Sequence, residues 1–241
     1  MTGVVPTRLQ GIGTVDTLEA IRARGSTRAF LPTPVPDELI RQIVAAANYA
    51  PSGSNIQPWH VHVVTGAARD ALCARVVAAA RGGPEPPMAY KYYPTEWREP
   101  YLSRRRACGW GLYGALGIPK TDRDAMQAQQ LRNFTLFDAP VGLFFTIDSD
   151  LNQGSWLDYG MYLQTLMLAA TALGLATCPQ ASWLAYERIV REELELADSR
   201  SLVCGIALGY ADPDARVNRF RPSRLPARDV LAWHDGSGAL P

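Results

Sequence analysis

The chain has 241 residues, of which 47% are hydrophobic and 20% charged, and 24 basic side chains against 23 acidic ones leave a formal net charge of +1. Such a chain can bury roughly 70–75% of its unfolded surface, which excludes a disordered polymer. The near-neutral balance excludes a polybasic partner of nucleic acid or anionic lipid, and apolar runs are broken well before they could span a bilayer.

The expectation is one domain over residues 1–241 in the cytoplasm. The start, Met1 to Gly13, has no basic-then-apolar leader, so no signal peptide is expected. Cys73, Cys108, Cys178 and Cys204 lack CxxC spacing and read as reduced thiols. His60, His62 and His234 do not pair with them as a zinc site.

In chain order, Asp16-Thr17-Leu18-Glu19 reads as a capping box. It opens a short amphipathic helix carrying Leu18 and Ile21, with Gly25 as its C-cap. Arg24, Ser26 and Arg28 then fall where helix gives way to extended chain, whose alternate residues point the same way. Two guanidinium forks and a hydroxyl suit a phosphate monoester. Taken alone, the segment reads equally as two solvated arginines. The helix predicted over 34–50 has Pro36-Asp37-Glu38 at its start and a buried stripe of Leu39, Ile40, Ile43, Val44 and Ala47. Next comes Ala50-Pro51-Ser52-Gly53-Ser54-Asn55-Ile56-Gln57-Pro58-Trp59. Its prolines fix φ, Gly53 permits positive φ, and Ser and Asn bond their own backbone. The product is a rigid ledge of small polar groups that suits a planar ligand with polar edges.

The order Arg24-Gly25-Ser26-Thr27-Arg28-Ala29-Phe30, short helix, Pro51-Ser52-Gly53-Ser54-Asn55-Ile56-Gln57-Pro58-Trp59 resembles the nitroreductase family of FMN enzymes. That family carries Arg-x-Ser-x-Arg-x-Phe, then Pro-Ser-x-x-Asn-x-Gln-Pro-Trp. The resemblance implies an α+β fold: a mixed, mainly antiparallel central sheet flanked by helices, in an intertwined homodimer. It implies that Arg24, Ser26 and Arg28 meet the FMN phosphate. It further implies that Pro51, Ser52, Ser54 and Asn55 line the isoalloxazine, from the partner subunit of such a dimer.

Trp59 to Val64 alternates as a strand. His60 and His62 share one face of it, without an evident third metal ligand. An Ala-rich helix is predicted over 67–81, with Leu72, Val76 and Ala80 at helical spacing, and it breaks at Gly82-Gly83-Pro84. Residues 82–135 form a long aromatic and basic excursion, of the kind that acts as a lid or packs as a subdomain. The resemblance places this excursion over the exposed face of the flavin, making Tyr93, Trp97 and Tyr113 candidate substrate residues. Arg104-Arg105-Arg106 reads either as a solvated helix face or as a preference for an anionic aromatic substrate. A helix is predicted over 125–137, and the resemblance sends a polar residue near its end, Asn133 in preference to its neighbour Arg132, to the ribityl and pyrimidine side of the flavin.

Val141 to Ile147 is a continuously apolar strand, hence covered on both faces. The segment from Asp158 to Leu173 is apolar nearly all round, so it belongs in a core or a large interface. The resemblance puts it in the dimer core. Leu173 to Trp183 fits the family's Gly-Leu-x-Thr-x-Pro pattern, with Pro179 fixing a turn. Pro179, Gln180, Ala181 and Ser182 then lie beside the flavin, and the backbone N–H groups of Ala181 and Ser182 face N5 and O4. Family members often have an acidic residue and a glycine there, so the role expected here belongs to the backbone. A helix over 186–196 and a buried strand over 202–210 follow. Near the end, Arg221 and Arg224 are the two candidates to return to the phosphate.

No catalytic acid, base or nucleophile is required, because a flavin carries its own hydride chemistry. The implied activity is ping-pong reduction of nitroaromatic or quinone-type acceptors with NAD(P)H as donor, a small aromatic molecule being the partner. The absence of a G-x-G-x-x-G fingerprint agrees with a nicotinamide that stacks on flavin. Other readings are a flavin sensor or store without turnover, or a scaffold performing dehalogenation or flavin fragmentation.

Overall fold

The computed structural model describes residues 16–83, 85 and 90–234. The leader reading over Met1 to Gly13 lies outside them, as do Pro84, Pro86 and Pro87 of the helix-breaking stretch 82–87. Helix α1 (Thr17–Ala23) starts where Asp16 accepts the N–H groups of Leu18 and Glu19 at 2.9 and 3.2 Å. Its C-cap is Arg24, not Gly25. Gly25 has another use: a Cβ there would lie 1.8 Å from Nη1 of Arg221, so its bareness admits that guanidinium.

Helix α2 (Asp37–Ala47) buries Ile40, Ile43 and Ala47, the centre of the expected stripe. Strand β1 (His60–Thr65) leads into α3 (Gly66–Ala80), which buries Leu72, Cys73 and Val76. The excursion contains α4 (Tyr101–Leu116) and α5 (Arg123–Leu131). The helix expected to reach Phe137 stops at Leu131 and tightens into a 3₁₀ segment. Leu136, Phe137 and Asp138 all have left-handed backbone, with φ of 56°, 54° and 70°, which no α-helix accommodates.

Strands β2 (Val141–Asp148), β3 (Ala176–Gln180) and β4 (Arg200–Gly209) complete a sheet of order β1-β2-β4-β3 whose ladders are all antiparallel. One isolated parallel bridge, Ser26 to Thr177, adds the arginine segment beside β3. Thr27 N–H donates to the Thr177 carbonyl at 2.9 Å. The turn expected at Pro179 is instead a strand. Proline is tolerated because β3 is an edge, where a missing N–H breaks no second ladder.

Helix α6 (Gln153–Ala172) and α2 cover one sheet face, where Leu143, Phe145 and Ile147 point. The other face takes Phe144, α3, the 3₁₀ segment Ala181–Tyr186 and α7 (Glu187–Glu193). Strand β2 is buried from Val141 through Ile147, as its unbroken apolar run requires. Helix α6 is buried on one side within the subunit. Tyr159, Tyr162, Leu166 and Ala170 are buried, but Leu157 is 71% exposed on the opposite face.

Candidate cofactor site

The edge strand β3 organises the site. Along it runs the extended segment 24–28, and beyond its end lies the segment 181–186. Arg24, Ser26 and Arg28 do converge: together with Arg22, Arg221 and Arg224 they line a cavity of about 580 Å³. A second cavity of about 660 Å³ is lined by Arg28, Asn133, Pro179, Gln180, Ala181 and Ser182, facing Tyr90, Lys91, Tyr92, Tyr93 and Thr95. Arg28 belongs to both walls, so the two meet at its side chain. Each has the size of a small-molecule site.

The arginines are held by carbonyls rather than by carboxylates. Arg28 Nη1 donates to the Ser26 carbonyl at 3.2 Å, Arg221 Nη2 to that of Ala23 at 3.4 Å, and Arg224 Nη1 to those of Pro222 and Ser223 at 3.0 and 3.1 Å. Burial, then Arg224, then Arg221 lower the Arg24 pKa. The Arg24 guanidinium is therefore crowded by like charge, and an anion placed among the three relieves it. Asn218 braces the segment: its Oδ1 accepts Arg28 N–H and its Nδ2 donates to the Ala29 carbonyl, both at 2.8 Å.

Several polar atoms around the cavities are buried without a partner: Arg24 Nε, Thr177 Oγ1, Gln180 Oε1 and Ser182 Oγ. Burying such groups unpaired costs about 1–3 kcal/mol each, so a ligand with polar edges is favoured there. Gln180 Nε2 donates to the Asn133 carbonyl at 2.6 Å, which ties the end of β3 to the segment carrying Asn133. Burial pushes the Cys178 thiol up to about 11, against the pull of Arg28. That thiol is neutral near pH 7 and adds no negative charge to the cleft.

The structure does not gather every expected residue. Tyr93 lines the second cavity, but Trp97 stands behind it, 5.4 Å from the Tyr93 ring and under Arg105. Tyr113 pairs with Trp110 and accepts a bond from Gln130; neither Trp97 nor Tyr113 lines the cavity. Pro51, Ser52, Ser54 and Asn55 are absent from both walls. Their ledge is nonetheless built. Ser54, Asn55 and Gln57 have φ of 50°, 56° and 48°, Gln57 N–H donates to Ser52 Oγ, and the buried Asp158 of α6 accepts Gly53 N–H at 3.0 Å. Tyr90, Lys91, Tyr92 and Thr95, which belong to the aromatic and basic excursion but are not among the three residues singled out from it, line the cavity beside Tyr93. A signal existed in their aromatic density, and Tyr90 is pinned by its hydroxyl, which donates to the Val203 carbonyl at 2.6 Å.

The family model described as "Nitroreductase family" matches residues 21–210. The chain is 44% identical over 208 residues to the 4-nitrobenzoate reductase of Pseudomonas putida, covering 86% of this chain and 91% of that one. It is 41% identical over 216 residues to the nitrobenzene nitroreductase of Ectopseudomonas oleovorans, covering 89% and 95%. Among solved structures, the FMN- and NADPH-dependent nitroreductase NfnB from sphigopyxis sp. strain HMH superposes with a TM-score of 0.87 at 39% identity, over 91% of this chain and 99% of that one. The FMN-dependent NfnB from Mycobacterium smegmatis, solved in complex with NADPH, gives 0.85 at 37%, over 90% and 97%.

Proposed function

This chain belongs to the nitroreductase family, and we propose that it is an FMN-dependent oxidoreductase that uses NAD(P)H to reduce nitroaromatic acceptors, with quinones as a further acceptor class. The observation that carries this reading is the arginine-walled cleft that runs on, through Arg28, to the end of β3. FMN fits it: a phosphate answers the crowded Arg24, Arg221 and Arg224, and polar ring edges answer the unpartnered Ser182 Oγ and Gln180 Oε1. When bound, FMN supplies two-electron hydride chemistry.

The residues bind and orient. Arg24, Ser26, Arg28, Arg221 and Arg224 hold the phosphate. Asn133, Pro179 and Gln180 take the ring edge, and the backbone of Ala181 and Ser182 faces the reacting end. Tyr93 and its neighbours wall the acceptor space and exclude water. Purified protein is expected to be yellow, to bleach when mixed with NADPH without oxygen, and to regain colour on adding 4-nitrobenzoate. Colourless protein that takes up no added FMN overturns the reading.

A homodimer completes the site. Leu157, a large hydrophobic side chain 71% exposed on the side of α6 turned away from the sheet, invites a second copy. Pro51, Ser52, Ser54 and Asn55 would then reach the partner's cleft. Leu157→Arg is expected to yield monomers by sedimentation and to lose FMN; a dimeric Leu157→Arg protein with full flavin would remove α6 from the interface. The free cysteines, three of them buried, agree with a reducing cytoplasm.

A further inference from the structure

A third cavity, of about 890 Å³, lies between α4 and the segment 220–230. Helix α4 lies against the segment Arg216–Arg219, and the Phe220 ring sits where a Cβ on Gly111 would be 2.6 Å away. Phe220, Arg221 and Arg224 belong to this cavity and to the phosphate cavity alike. Between them the two cavities are walled by six arginines, residues 22, 24, 28, 104, 221 and 224, and by no carboxylate. Among the described residues, none of the six has an acidic partner within 4 Å. The nearby Glu99 is engaged: it accepts both the hydroxyl and the N–H of Ser103 in the first turn of α4.

The charge does not balance on one ligand. A phosphate monoester carries about −1.5 to −2 near pH 7, so one FMN phosphate leaves several guanidinium charges unanswered. Arg104 borders only the third cavity, where Ala107, Phe220, Pro222, Leu225 and Val230 give apolar surface beside the hydroxyls of Ser103 and Ser223 and the guanidinium groups of Arg221 and Arg224. Arginine beside flat apolar surface suits a phosphorylated nucleoside, whose base stacks while its phosphate takes the fork.

We propose that this third cavity binds the 2′-phosphoadenosine end of NADPH, with Arg104 as the residue that selects NADPH over NADH. The inference rests on the reading that the neighbouring cavity takes the FMN phosphate. The probe is adenosine 2′,5′-bisphosphate, titrated by calorimetry into purified protein. It is expected to bind more tightly than ADP, and less tightly as salt is raised. Arg104→Gln is expected to weaken the bisphosphate about tenfold while ADP changes little, consistent with loss of one charge-assisted bond. It is also expected to cut the ratio of KM for NADH to KM for NADPH by a similar factor, and Arg104→Lys to recover part of the loss. Equal binding of the bisphosphate and ADP, or an Arg104→Gln protein of normal flavin content with undiminished bisphosphate affinity, overturns the proposal. Preference for the bisphosphate in protein that takes up no FMN would sink the flavin reading and keep the second anion site.

Discussion

Arg28→Ala is expected to weaken FMN retention by about 1.5–3 kcal/mol, the worth of a hydrogen bond to a charged group, or roughly tenfold to just over a hundredfold. Arg28 is singled out because it lines both cavities, so its loss removes charge from the phosphate end and a wall from the ring end. Its backbone need not move, since Asn218 holds Arg28 N–H and the Ala29 carbonyl. The measurement is flavin absorbance after dialysis, followed by fluorescence titration of FMN into the stripped protein. Arg41→Ala is the control: its side chain is 69% exposed and pairs with Asp37 and Glu38 on α2, a surface arrangement worth little. Full flavin content in Arg28→Ala would dismantle the proposed phosphate clamp.

Trp183→Ala is expected to cost about 3–5 kcal/mol of unfolding free energy, the usual loss for deleting a buried large aromatic. Trp183 is fully buried and meets Phe144 and Phe134 edge-on, with ring centroids 4.9 and 5.6 Å apart. Such contacts add about 0.5–1.5 kcal/mol beyond burial. The ring fits because Gly205 of β4 has no side chain: a Cβ there would stand 2.6 Å from it. Trp183 therefore fastens the segment 181–186, and with it Ala181 and Ser182, to the sheet. Urea unfolding of flavin-free protein reads the effect without a ligand contribution. A loss below about 1 kcal/mol would show that the segment is held by something else.

Much of this is legible in the residues alone. The spacing of Arg24, Ser26 and Arg28 reads as one-sided extended chain, and the bridge from Ser26 to Thr177 supplies the strand that keeps it extended. The apolar run of β2 is found buried on both faces. What failed to show has physical causes. Strand β3 was obscured by Pro179, whose missing N–H argues against a strand unless its edge position is known. The left-handed backbone at Leu136 and Phe137 has no glycine or asparagine to announce it, so the helical pattern before it continues in sequence past the point where the helix ends. An evenly apolar α6 does not say which side meets its own sheet and which side, at Leu157, faces away from it. Which aromatic of the excursion lines the cavity is not legible in sequence, because the place of Tyr90 depends on a long-range bond to Val203.

The ledge at 51–55 stands apart from the arginine cleft of its own chain. In the proposed dimer, each flavin thus draws on two polypeptides, and faults on them do not simply add. Mix a subunit crippled at Arg28 with one crippled at Asn55, and of the two half-sites formed, one inherits both lesions while the other is wild type throughout. Partial rescue by co-expression of two inactive alleles is the genetic signature of that sharing.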